Sequence, residues 1–171
     1  LAMAMSKGKM LYRDPSFTNS HNGIGVYNNS GGTGVSINRV SGVAGNPNGS
    51  GYCLKITTTG TASPGFGGFA QPPAVRANQC LIYRFIANIP VGRRLGFARN
   101  SAGSGVIEGW LTSNIGTGKW EEYVYKLKCG SSGSFSTCGH FYLVDGTAPI
   151  ASSPLIWYVC YATVFDITDA E

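Results

Sequence analysis

Cys80–Ile89 reads CLIYRFIANI, and the fold class follows from how its residues alternate. Leu81, Tyr83, Phe85, Ala87 and Ile89 fall on one side of an extended chain. Ile82, Arg84, Ile86 and Asn88 fall on the other. A period of two, with one apolar and one mixed side, marks a strand of an antiparallel sheet covered on one face. The pattern recurs on both sides of this stretch. Tyr52–Thr58 (YCLKITT) sets Tyr52, Leu54 and Ile56 against Cys53, Lys55 and Thr57. Trp120–Lys128 (WEEYVYKLK) sets Tyr123, Tyr125 and Leu127 against Trp120, Val124 and Lys126. Leu155–Ile167 (LIWYVCYATVFDI) is the longest apolar run, and its aromatic and β-branched residues favour a central strand over a helix.

Shorter strand signals lie at Val35–Val40, Arg94–Arg99, Val106–Leu111 and Phe141–Val144, whereas Gly60–Gly68, crowded with glycine and proline, reads as a loop. No stretch keeps a helical period beyond about a turn or two. About eight to ten strands separated by polar turns predict an all-β protein, a two-sheet antiparallel β-sandwich.

Composition agrees. The 171 residues suffice for one full hydrophobic core and leave little room for a second. Apolar residues make up 43% and charged residues only 12%, with 25 glycines, a balance suited to short strands and many turns. Residues 1–9 are expected to be a loose tail, and 10–171 one domain. Leu1 is not an initiator, so the chain is expected to be a piece of a longer one. Leu1–Met5 is too short for the apolar stretch of a signal peptide, and no apolar run is long enough to span a membrane, so no membrane insertion is expected.

The net charge is +5, but the basic residues are dispersed, the densest group being Arg93, Arg94 and Arg99. A nucleic-acid partner is therefore not expected. The excess charge reads either as a preference for acidic glycans or as ordinary solvated surface. Five cysteines without C-x-x-C spacing, and His21 far from His140, exclude a zinc site, and no metal is expected. Cys129 and Cys138 flank a Gly/Ser turn and are either bridged or left as thiols by a reducing cytosol.

Catalytic chemistry finds little to work with. Among eight acidic residues, only Glu108 with Glu121 or Glu122 forms a plausible pair for glycoside hydrolysis, and Glu121 and Glu122 point to opposite faces. His140, read as a turn histidine near Asp145, has no G-x-S-x-G elbow, and the glycine-rich segments match no phosphate-binding loop. Neither catalysis nor a cofactor is expected.

Three segments carry a resemblance. Met10–Phe17, MLYRDPSF, resembles the opening strand of jelly-roll carbohydrate-binding modules, often N-L-L-x-D-P-x-F. Gly118–Leu127, GKWEEYVYKL, is similar to their G-x-W-x-x-Y strand, and Trp157–Ile167 to their closing strand, x-x-D-D-V-x-V. The three occur in the family's order and frame nearly the whole chain. The resemblance implies a jelly roll that binds glycan without catalysis. Such modules often hold a structural calcium between an acid of the closing strand and the first-strand region. Here Cys160 and its neighbours stand in place of that acid, although Asp14 and Asp166 remain, so the calcium is not carried over.

The Gly/Ser/Asn-rich turns, the missing signal and the unpaired cysteine also resemble accessory domains of bacteriophage tail fibres and tailspikes. That resemblance implies a virion location after folding in the host cytoplasm, or otherwise an extracellular one, a cell-surface glycan as partner, and a homotrimer. A purely structural or oligomerisation domain is the alternative, with outward apolar residues Ile82, Ile86 and Val164 as its interface.

A sugar site needs an aromatic platform and planar polar side chains. Trp110 shares a strand face with Glu108, and Gly109 leaves space beside it; Trp110 reads equally as a core aromatic. Arg84, Asn88, Arg99 and Asn100 would supply polar groups if their strands share one concave sheet. Tyr142 is a second aromatic candidate. Trp120 and Trp157 read as scaffold.

Overall fold

The structure is a computed structural model and describes residues 8–11, 14–21, 23–28, 34–60, 65–99, 108–131 and 139–170. Ten strands follow one another: β1 (Lys9–Met10), β2 (Gly25–Tyr27), β3 (Val35–Ser41), β4 (Tyr52–Thr58), β5 (Gly65–Gln71), β6 (Cys80–Asn88), β7 (Arg94–Arg99), β8 (Trp120–Lys128), β9 (Gly139–Val144) and β10 (Leu155–Asp166). One sheet has the order β3-β4-β10-β6-β8, with β1 paired to the second half of β10. The other has the order β2-β5-β9-β7. From β5 onward each strand lies in the opposite sheet from the one before it. The result is the expected antiparallel jelly-roll sandwich.

The alternation read from the sequence selects the core. Leu81, Tyr83, Phe85 and Ala87 of β6 and Tyr123, Tyr125 and Leu127 of β8 point inward and are buried. So do Leu54 and Ile56 of β4, and Phe141 and Leu143 of β9. Phe141 is the hub: its ring lies 4.9 Å from Phe85, 5.2 Å from Phe69 and Phe97, and 5.3 Å from Tyr83. Several of these contacts are edge-on, the arrangement that the ring quadrupole favours.

Four expectations are corrected. Gly65–Gly68 is not loop but the first half of β5. Glycine is required there because a Cβ on Gly68 would lie 2.0 Å from the Phe141 carbonyl oxygen of the neighbouring strand, and Gly67 has φ +79° at an irregularity of register. Lys9, placed in the tail, pairs with Asp166 in β1. Of Val106–Leu111 only Trp110 joins a sheet, as an isolated bridge to Tyr125, and residues 106–107 lie outside the described residues.

The fourth concerns the outward apolar residues. A bulge in β10 between Cys160 and Thr163, with Tyr161 at φ +50°, reverses the alternation and turns Val164 into the core at 0% exposure. Ile82 does face outward, but it is buried in a second small cluster with Cys80, Val124 and Ile167. Ile86 is half-buried. These three residues therefore do not form an exposed interface.

The end of the sandwich beside β3 is closed by the 14–20 loop, which plants Phe17 in the core. Asp14 holds the loop by accepting hydrogen bonds from the backbone N–H groups of Thr18 and Asn19 at 3.1 and 3.0 Å. Burial acts to raise the Asp14 pKa, but these bonds, one from Ser20 and the Arg39 charge outweigh it and hold the carboxyl below 3.8. Arg39 donates to the carbonyl oxygens of Phe17 and Thr18 and lies 3.4 Å over the Tyr52 ring. A guanidinium thus occupies the carbonyls beside Asp14, and Asp14 itself is committed to amides. The residues here do not fit a calcium ion.

Candidate binding face

The outer face of the four-stranded sheet is floored by small residues. Two cross-strand rows define it. One is Tyr27–Gly68–Tyr142–Gly96, and the other is Gly25–Ala70–His140–Ala98. Because Phe69, Phe141 and Leu95 fill the inner face, the intervening Tyr27, His140 and Tyr142 must point away from the core. With glycine or alanine opposite them, their rings lie over bare backbone. Tyr142 covers Gly96, where a Cβ would come within 2.6 Å of its Cζ atom. Tyr27 stacks on His140 with centroids 4.4 Å apart and planes 4° from parallel, and its ring lies 5.8 Å from that of Tyr142.

Electrostatically this platform is neutral. Burial, then the neighbouring Tyr142, raises the Tyr27 hydroxyl above its usual 10. Burial lowers His140 below 6.5, so its imidazole is uncharged at neutral pH. The residue is 7% exposed, and its Nδ1 has no hydrogen-bond partner among the described residues. A neutral imidazole beneath Tyr27 gives a pH-dependent stability. Above the unfolded-state value near 6.5 both states are deprotonated and the contribution is fully present. It is lost as pH falls from there through the lower folded value, because the unfolded chain takes up the proton first. Thermal melts at pH 7.5 and 5.5 are expected to show a larger drop for the natural chain than for His140→Phe. Equal drops would remove His140 as the titrating group.

The six site residues expected from sequence do not converge. Tyr142 stands on the platform. Arg99 lies in the same sheet, paired with Gly139 at the end of β7; its side chain, and Asn100, lie outside the described residues. Arg84 and Asn88 belong to the other sheet and face outward there, and Arg84 is spent on a 2.6 Å ion pair with Glu122. Trp110 is half-buried at the β8 edge, tilted edge-on to Tyr125 at 5.1 Å and 6.0 Å from Phe141, so it extends the core. Its neighbour Glu108 accepts the Tyr125 hydroxyl through its carbonyl and sits 3.9 Å from Lys126.

Glu121 is 3.4 Å from the Thr117 hydroxyl, so the acids suggested for hydrolysis are engaged separately. His140 is a strand residue rather than a turn residue, and Asp145 is bound to Arg94 at 3.0 Å. Cys138 lies outside the described residues, as does any bridge to Cys129. No group of three His, Cys, Asp or Glu suited to a metal forms among the described residues. No helix among them is long and apolar enough to cross a membrane.

Sequence reasoning missed Tyr27 and His140. The available signal was HFYLV, in which His140 and Tyr142 alternate with Phe141 and Leu143. For Tyr27 the signal was only the three-residue run GVY.

Solved structures of this architecture exist. A Clostridium thermocellum xylanase 10B fragment with CBM22-1 and GH10 modules, complexed with xylohexaose, matches with TM-score 0.54 and 11% identity over 88% of this chain. This chain spans about a quarter of that one, 26%. The Stig cyclase Fisc from Fischerella sp. TAU, bound to an indole derivative, matches with TM-score 0.52 and 10% identity, covering 92% of this chain and 96% of that one. A candidate sugar-binding protein from Bacteroides thetaiotaomicron matches with TM-score 0.50 and 9% identity, covering 92% of this chain and all of that one, 100%. What they share is the fold. No family model matches the sequence, and no curated protein matches it. Neighbours with this sandwich thus include both a candidate sugar-binding protein and a cyclase, so function must be argued from the site.

Proposed function

We propose that the chain is a non-catalytic glycan-binding module, and that the outer face of the four-stranded sheet holds the saccharide. The observation that carries this reading is the neutral ring trio Tyr27, His140 and Tyr142 lying over a glycine and alanine floor. Sugar rings stack their C–H faces on aromatic faces, and the two phenol groups are hydroxyl partners. The xylohexaose complex of one fold neighbour supports the choice of ligand class. The separate engagement of Glu108, Glu121 and Glu122 supports binding without hydrolysis. Affinity electrophoresis through gels containing xylan, mixed-linkage β-glucan or bacterial capsular polysaccharide tests it. The natural chain is expected to be retarded by at least one, and Tyr142→Ala to run as in an empty gel. Equal mobility of both proteins in every gel overturns the reading.

We further propose that the parent protein is a phage tail fibre or a similar surface appendage that recognises a host cell-surface polysaccharide as a trimer. Supporting this are the turn-rich composition and the buried free thiols of Cys53 and Cys160, which suit folding in a reducing cytoplasm. One observation favours an assembly role as well. Val91, Ile115 and Ile150 are 75%, 57% and 53% exposed. They sit on loops gathered around Arg93, which bonds the carbonyls of Asp145 and Thr147. Such an apolar end suits burial against a neighbouring subunit.

A further inference from the structure

The opposite side of the sandwich, the outer face of the six-stranded sheet, carries a second aromatic row. Asn38, Lys55, Tyr158, Asn88 and Trp120 pair in register across β3, β4, β10, β6 and β8. Their chain neighbours Leu54, Ile56, Trp157, Val159, Ala87 and Ile89 are core residues, so strand alternation turns the row outward. Strands stand ~4.8 Å apart, which makes the row ~19 Å long. The spacing between its side chains is close to the length of one sugar unit in an extended chain.

The Trp120 and Tyr158 rings are 6.2 Å apart and tilted by 40°, and Asn88 lies between them in the row. The Trp120 indole N–H donates to the Ala44 carbonyl at 3.1 Å, and Gly45 sits against the ring. The platform is therefore held in place before a ligand arrives, which lowers the entropy cost of binding. The charge on this face has one sign to spare. Arg84 and Glu122 neutralise each other, whereas no carboxylate pairs with Lys55 among the described residues. Among the described residues the one exposed large apolar side chain in this sheet is Met10, on β1 opposite Phe165, seven residues along β10 from Tyr158. A protein interface would be centred on such residues.

We infer that this row is a second saccharide-binding surface, built for an acidic glycan lying across the strands. Sugar rings stack on Trp120 and Tyr158, the Asn88 and Asn38 amides meet hydroxyls, and Lys55 takes a uronate carboxylate. The inference stands independently of the Tyr27–Tyr142 face.

Calorimetric titration with hexagalacturonate and with xylohexaose tests it on the full chain. Tyr158→Ala is expected to weaken hexagalacturonate about tenfold and Lys55→Gln about fivefold. Tyr142→Ala leaves that ligand unchanged, and added salt weakens it. Lys55→Gln is a surface change that the fold tolerates, so it keeps the test open if Tyr158→Ala misfolds. Absence of hexagalacturonate binding, or binding indifferent to Lys55→Gln, overturns the inference. So does sedimentation showing a dimer that Tyr158→Ala dissociates, which would assign the row to a second copy of the chain. Loss of xylohexaose binding in Tyr142→Ala reports on the other face alone.

Discussion

Phe141→Ala is expected to lower the unfolding free energy by about 3–5 kcal/mol, the largest stability effect of any single substitution considered for this fold. Phe141 is 0% exposed and meets the rings of Phe69, Tyr83, Phe85 and Phe97 at 4.9–5.3 Å, with Trp110 and Tyr125 further out. These rings come from both sheets, from four strands besides its own and from the bridge at Trp110, so they cannot collapse together into the space that alanine leaves. The cost is the lost transfer energy plus a residual cavity. In a chain of this length it corresponds to a fall in melting temperature of roughly 10 °C. Denaturant titration checks it. A loss under about 1.5 kcal/mol would mean that the aromatic hub repacks freely and that Phe141 does not tie the sheets together.

Gly96→Val is expected to weaken binding on the four-stranded face while sparing the fold. The Gly96 φ is ordinary, and valine suits a strand. The new Cβ would sit 2.6 Å from Cζ of Tyr142 and 2.9 Å from its hydroxyl. That end of the side chain is free to swing, so the backbone stays and the ring leaves. Affinity for the saccharide is expected to fall about tenfold, ~1.4 kcal/mol, as in Tyr142→Ala. Stability is expected to change by less than about 1 kcal/mol. Unchanged affinity in a folded Gly96→Val protein would show that the Tyr142 ring need not lie over Gly96 for binding. A collapse in stability would show that Gly96 serves packing instead.

The sandwich was legible because its long strands obey a strict period of two. Tyr52–Thr58 and Trp120–Lys128 match β4 and β8 residue for residue, and β6 ends one residue earlier than expected. The failures have physical causes. β5 is hidden because Gly67 and Gly68 are there for close backbone approach to Tyr27 and Phe141, and glycine in isolation reads as turn. Val164 was assigned outward because the bulge at Tyr161 shifts the phase by one residue, and nothing in LIWYVCYATVFDI announces it.

The site was legible only in part. Tyr142 is visible from its own strand. Its partner Tyr27 is brought to it by β5, which pairs with both β2 and β9, and a pairing between distant strands has no local signature. Trp110 illustrates the converse. Beside Gly109 it reads equally as platform or core aromatic in sequence, and the bridge to Tyr125 turns it onto the core.

The central claim is that saccharide lies on the Tyr27–His140–Tyr142 face. Two-dimensional amide NMR of the labelled chain, titrated with whichever polysaccharide fragment retards it in gels, tests this most directly. The account predicts shift changes concentrated in β2, β5, β9 and β7, strongest at Tyr27, Ala70, Tyr142 and Gly96, and needing about tenfold more ligand in Gly96→Val. Shifts that leave these four strands untouched while the fragment binds elsewhere would contradict it.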